Sequence, residues 1–253
     1  MPQLNPSYVL EPFHTLIGAC QTNVLLGLRL VEEVETLPGP AADEKKAFQL
    51  RFREFAPDLN ESKARFRRWI ILKGLGDIHQ CIGATLQRFI VFRTIDDELK
   101  LNSALDIEGR ERALSQGLRS LSYPELIDRA NRLCSAPLIM QEQIATFNNA
   151  RNCLEHSGGI VIKRFCNNPH KDKLTIQGRR VKLFFKRGDE ETPAQVGMPG
   201  PESAALMLGA EDFTIEFTIG QPVELSSAHF VDILNTCVFL RADIEEKLGS
   251  SGR

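Results

Sequence analysis

The residues best suited to chemistry stand together in "NNARNCLEHSGGIV", residues 148–161: Arg151 and Asn152 side by side, His156 beyond them, and a glycine pair behind the histidine. Those side-chain types suit metal-independent cleavage of a phosphodiester. In RNA the reaction needs a base to take the ribose 2′-hydroxyl proton, an acid to protonate the leaving 5′-oxygen, and positive charge against the crowded phosphorane. An imidazole with an ordinary pKa of about 6.5 supplies either protonation state near neutrality. A permanently charged guanidinium fork fits the non-bridging phosphate oxygens. His156 is therefore the acid/base candidate, Arg151 the phosphate ligand and Asn152 an orienting hydrogen-bond partner. Each also has a plain alternative: an ion pair for Arg151, a cap for Asn152, and for His156 a favourable place at the negative end of a helix dipole. Glu155 either tunes the neighbouring imidazole or faces solvent.

Positions five apart on an ideal helix are separated by about 140° around the axis, so Arg151 and His156 do not share one face. A single phosphate meets both only where the helix ends at the histidine, or where a second subunit supplies the partner group. Gly158 and Gly159 permit the first arrangement, and dimerisation the second.

"ARNCLEH", placed between an amphipathic helix and a sheet in a helical bundle, resembles the signature of the HEPN superfamily: Arg, usually Asn next, then His a few residues later. The resemblance covers the motif and, loosely, the helical architecture. It implies a homodimer that joins the Arg and His of two subunits at a bundle interface and cuts RNA without metal or other cofactor. It also implies, as for many relatives, a toxin or defence-type ribonuclease, with a cognate antitoxin or a small nucleotidyltransferase as partner. Other members look like non-catalytic modules that bind nucleotide, RNA or protein. The β-rich segment before the last helix departs from the family pattern.

Charge is divided unevenly along the chain. Between Ile160 and Arg187 nine basic residues stand against Asp172 alone, a net +8 within a protein of net charge −2. Such asymmetry points to an anionic partner or to the solvated face of a small sheet. Lys163, Arg164, Arg180, Lys182 and Lys186 are the candidate RNA contacts, extending a groove from His156 along the phosphate backbone. Phe184, on the same face, either stacks a base or packs under the adjoining loop. A third class of function follows from the same charges: a helical scaffold whose basic sheet docks an acidic protein. "ARFRRWIILK", residues 64–73, sets four cations around Trp69, which reads as core or as a nucleic-acid contact.

Six cysteines, Cys20, Cys81, Cys134, Cys153, Cys166 and Cys237, occur singly and read as buried thiols rather than a zinc or disulfide framework. The remaining histidines show no ligand spacing, so no metal site is expected. No G-x-G-x-x-G, P-loop or G-x-S-x-G occurs. The first 30 residues show neither a signal peptide nor a membrane span, and a cytoplasmic protein is expected.

Apolar periodicity must position these residues. Helical spacing predicts helices over 8–36, from about Asp43 to Pro57, over 62–101, over 107–121, from Tyr123 to Cys134, and from Pro137 to His156. Alternation then predicts strands in "GIVIKRF", "KLTIQG", "RRVKLFFKR" and "DFTIEFTIG", with a tight turn at "IQGRR" and a long mobile loop over 188–211. Ser226 or Ser227 caps a last amphipathic helix. The expected fold is mainly α: an up-and-down bundle (1–157), a β-rich insertion forming a small antiparallel sheet (158–219), and a final helix returning to the bundle (220–253), all in one composite domain.

Overall fold

The computed structural model describes residues 5–36, 58–168, 172–194 and 204–249. The fold is mainly α, with a small three-stranded antiparallel sheet before the last helix. The expected helix between Asp43 and Pro57 lies outside the described residues. Helix α1 (Pro6–Pro12), a π-helical turn (Phe13–Ile17) and α2 (Gly18–Glu33) run on from one another, as the first apolar pattern predicts. The axis of the bundle is α3 (Leu59–Leu101), whose 43 residues span about 65 Å. Ile71, Leu75, Ile78, Ile82, Leu86, Phe89 and Ile90 are buried along it, and α1, α2, α4, α5, α6 and α7 all pack on it. Gly74 is what lets α3 approach its neighbours: a Cβ there would meet the Phe230 ring and Val24 at 2.6 Å. Trp69 is not core. It is 52% exposed and lies parallel to exposed Phe66, ring centroids 5.6 Å apart.

Helix α4 (Ile107–Leu118) starts at Asp106, whose carboxylate accepts from Gly109 N at 3.1 Å, and α5 (Tyr123–Asn131) starts at a Ser122–Glu125 capping box. Pro137 does not open the next helix. The Leu138 N–H donates to Asn131 Oδ1 and the Ile139 N–H to Asp243 Oδ2, and Met140 takes a left-handed turn at φ 62°, so α6 runs Gln141–His156.

The strands also depart from expectation. "GIVIKRF" makes only an isolated bridge, Ile160 with Pro222, and then a 3-10 turn over Lys163–Phe165. "KLTIQG" and "RRVKLFFKR" are not two strands but one, β1 (Lys173–Arg187). Gly178 marks no turn: it sits mid-strand because Thr236 and the Phe213 ring occupy the space a Cβ would need. The loop expected over 188–211 shrinks from both sides, since β2 (Glu190–Pro193) and β3 (Ala205–Thr218) extend into it. The sheet order is β2-β1-β3. Helix α7 (Ser227–Gly249) follows, with Ser226 Oγ accepting from His229 N as its cap.

The sheet is anchored at one end. Leu174, Ile176 and Phe217 enter the same hydrophobic cluster as the helices, and Thr236 on α7 holds the Arg179 backbone in both directions, accepting from its N–H and donating to its carbonyl. Beyond Gly178 the β1–β3 ribbon presents an apolar face on which Val181, Leu183, Leu206 and Leu208 are all exposed.

Candidate functional site

The site is the C-terminal end of α6. His156 is the last helical residue, and Ser157 closes the helix by donating its N–H and its hydroxyl to the Cys153 carbonyl. Gly158 and Gly159 then follow with φ of 62° and 83°, a left-handed exit that side chains other than glycine resist. From α3, Arg68 Nη1 donates to the Gly158 carbonyl at 3.3 Å, which ties this exit to the axial helix.

Arg151 and His156 stand five positions apart on α6, and the carboxylate of Glu155 lies near both side chains. Arg151 Nη2 lies 2.7 Å from Glu155 Oε2, and His156 Nε2 lies 4.0 Å from the same oxygen. Glu155 therefore pairs with Arg151 and does not merely face solvent. Arg151 Nη1 also donates to Asn152 Oδ1 at 3.5 Å, so the asparagine orients the guanidinium. The His156 side chain is 59% exposed and reachable by a macromolecular substrate; that of Arg151 is 27% exposed.

The structure adds a residue that sequence reasoning missed. His79 lies on α3, which packs against α6, and its ring sits 4.8 Å from that of Tyr123. Burial, and then the Arg151 charge, hold its imidazole below the ordinary range, so it is a neutral base at neutral pH. With His79 and Arg151 seventy-odd residues apart in the chain, only the helix packing pairs them.

No family model, no curated protein and no solved structure matches this chain.

The five candidate RNA-contact residues divide. Lys163 and Arg164 are exposed on the 3-10 turn that packs against α6, with no ion pair among the described residues. Arg180 pairs with Glu211 and lies 3.6 Å from Asp232, and Lys182 lies 3.5 Å from Glu191. Lys186 is exposed, but eight residues beyond Gly178, roughly 26 Å along the strand. The register explains the pairing: β3 sets Asp212 opposite Arg179 and Glu211 opposite Arg180, while Glu216 pairs with Lys173. Phe184 is 9% exposed, beneath Lys182 and against Gly209, so it packs and does not stack a base.

Cys20, Cys81, Cys153 and Cys237 are buried and Cys134 and Cys166 half-buried, all as free thiols. Burial pushes Cys20 and Cys81 up to about 12, which makes them poor nucleophiles. Among the described residues no group of three or more His, Cys, Asp or Glu is placed to hold a metal ion, and no helix is long and apolar enough to cross a membrane.

Proposed function

We propose that the protein is a metal-independent endoribonuclease of the HEPN type, acting in the cytoplasm as a homodimer and leaving a 2′,3′-cyclic phosphate and a 5′-hydroxyl. The observation that carries this reading is the proximity of Arg151 and His156 at an exposed helix end, where His156 Nε2 lies 4.0 Å from the Glu155 oxygen that Arg151 pairs with. An incoming phosphate competes with that carboxylate for the guanidinium and thereby comes beside the imidazole. Arg151 then stabilises the equatorial oxygens, Asn152 holds its fork in plane, and His156 moves the proton at the 2′- or 5′-oxygen. One exposed histidine per subunit supplies one proton-transfer group; a second subunit supplies the other. Toxin or defence activity, with an antitoxin or nucleotidyltransferase partner, is the biological setting that the motif suggests.

A second reading is favoured by the same ion pair. If Glu155 permanently occupies Arg151, the helix end serves a structural network, and the protein is a non-catalytic module that binds nucleotide, RNA or another protein.

Cleavage of total cellular RNA in EDTA separates the two, comparing wild type with Arg151→Ala and His156→Ala, each shown to be folded and with its oligomeric state measured. Wild-type cleavage lost in both variants supports the nuclease. A wild type that leaves RNA intact supports the module.

A further inference from the structure

One groove lies outside the Arg–His end and is built for hydrogen bonding. It runs between α6 and the anchored end of β1, has a volume of about 370 Å³, and is lined by Glu142, Thr146 and Asn149 on one side and Asn168, Thr175 and Gln177 on the other. That volume falls in the range of small-molecule sites, roughly 300–1,000 Å³. Its floor carries an unpartnered group: Thr175 is 5% exposed, and its hydroxyl has no hydrogen-bond partner among the described residues. A buried hydroxyl left alone costs free energy, and native folds rarely leave one without reason.

The rest of the groove is divided between scaffold and open groups. Asn167 grips the Thr175 backbone from both sides, donating to its carbonyl and accepting from its N–H at 2.7 Å. Thr146 Oγ1 accepts from the Gln177 N–H at 3.0 Å. These bonds fix the walls. Among the described residues the side chains of Asn149, Asn168, Gln177 and Glu142 form no hydrogen bond or ion pair, and so present three carboxamides and one carboxylate to whatever enters.

A carboxylate only accepts, whereas a carboxamide donates and accepts. The ligand edge that suits both offers adjacent N–H donors beside a carbonyl. Among nucleobases that edge is guanine's, with its N1–H and N2–H donors and its O6 acceptor. Position along α6 connects the groove to the proposed chemistry. Glu142, Asn149 and His156, seven residues apart in turn, share one helical stripe, and Asn149 and His156 are two turns apart, about 10 Å. A single nucleotide spans that length from base to 3′-phosphate.

We propose that this groove binds a guanine base of the RNA strand, placing the phosphate on its 3′ side at His156. The inference rests on the ribonuclease reading but is tested without cleavage. The probe is guanosine 3′-monophosphate, titrated by calorimetry beside its adenosine and cytidine counterparts, with wild type, Asn149→Ala, Thr175→Val and His156→Ala. The expected result is binding of the guanosine nucleotide at least about tenfold tighter than the other two, weakened about tenfold by Asn149→Ala and by the nearly isosteric Thr175→Val. Guanine preference should persist in His156→Ala, because the base contacts lie elsewhere. Equal affinity for the three nucleotides, no binding by wild type, or guanine preference surviving both groove variants overturns the proposal. A protein that prefers guanine but leaves RNA intact keeps the groove and loses the nuclease, so the two failures are distinct.

Discussion

Two regions of this protein carry cations close to one another, and they differ in what those cations face. On β1 the basic residues meet acids supplied by the neighbouring strand: Arg179 with Asp212, Arg180 with Glu211, Lys173 with Glu216. At the end of α6, Arg151 pairs among the described residues with one acid, Glu155, and an exposed histidine lies 4.0 Å from the same oxygen. The sheet has the greater charge in sequence and the smaller surplus in space. A run of like charges is thus a statement about field only after its cross-strand partners are known.

The largest effect that sharpens this contrast is on catalysis. Arg151→Ala should slow RNA cleavage by about 10²- to 10³-fold, as expected for removing one preorganised donor from the transition state. Arg179→Gln, which removes a cation of equal charge from the sheet, should leave the rate within about twofold. Equal losses in single-turnover assays would erase the distinction between the two regions.

Affinity should divide similarly. Replacing both Lys163 and Arg164 with Glu is expected to weaken RNA binding about tenfold at low salt, since both are exposed beside α6 and neither is ion-paired among the described residues. The same reversal at Arg179 and Arg180 would break pairs on the sheet and should act through stability before affinity. Fluorescence anisotropy on each folded variant distinguishes the cases.

A smaller effect is expected at Glu155. Glu155→Gln frees the Arg151 guanidinium, so RNA should bind a few-fold more tightly, with its salt dependence steeper by about one phosphate contact. An unchanged salt slope would mean that the guanidinium never leaves the helix surface for RNA.

The smallest effect concerns pH. His79 is held below 6.5 by burial and by the nearby Arg151 charge. Below that value the unfolded chain binds more protons than the folded one, so stability falls as pH drops from the ordinary imidazole value toward the lowered one. The melting temperature should decline on going from about pH 7 to about pH 5, and His79→Gln should flatten the decline. NMR titration should also show the His79 pKa rising in Arg151→Ala. A pKa unmoved by that substitution would show that the two groups are not coupled.

The helical part of this fold was legible because long apolar stripes have few other uses. The pattern from 62 to 101 predicts the end of α3 and places its start three residues late, and the Gly158–Gly159 pair marks the end of α6. The sheet was less legible. Gly178 reads locally as a turn, and its reason for being glycine, Thr236 of α7 and the Phe213 ring, lies far along the chain. Trp69 likewise keeps helical spacing with buried residues although its own face is open. At the site, Arg151, Asn152 and His156 were visible as a motif, whereas the Arg151–Glu155 pair and the effect of the Arg151 charge on His79 depend on side-chain direction and helix packing. The open groove beside β1 had no sequence mark at all, since scattered Asn, Gln and Thr are ordinary loop and surface residues.

The missing side chain of Gly74 also bears on when the protein can assemble. Helices α2, α3 and α7 meet there, and the Phe230 ring that fills the space belongs to the last described element to be translated. A nascent chain that has only reached β3 therefore carries a core with an open seam along α3, together with an unfastened β1 whose clasp, Thr236, has not yet been made. Folding of the bundle is completed late in synthesis, and a ribosome-bound fragment lacking α7 should remain protease-sensitive across α3.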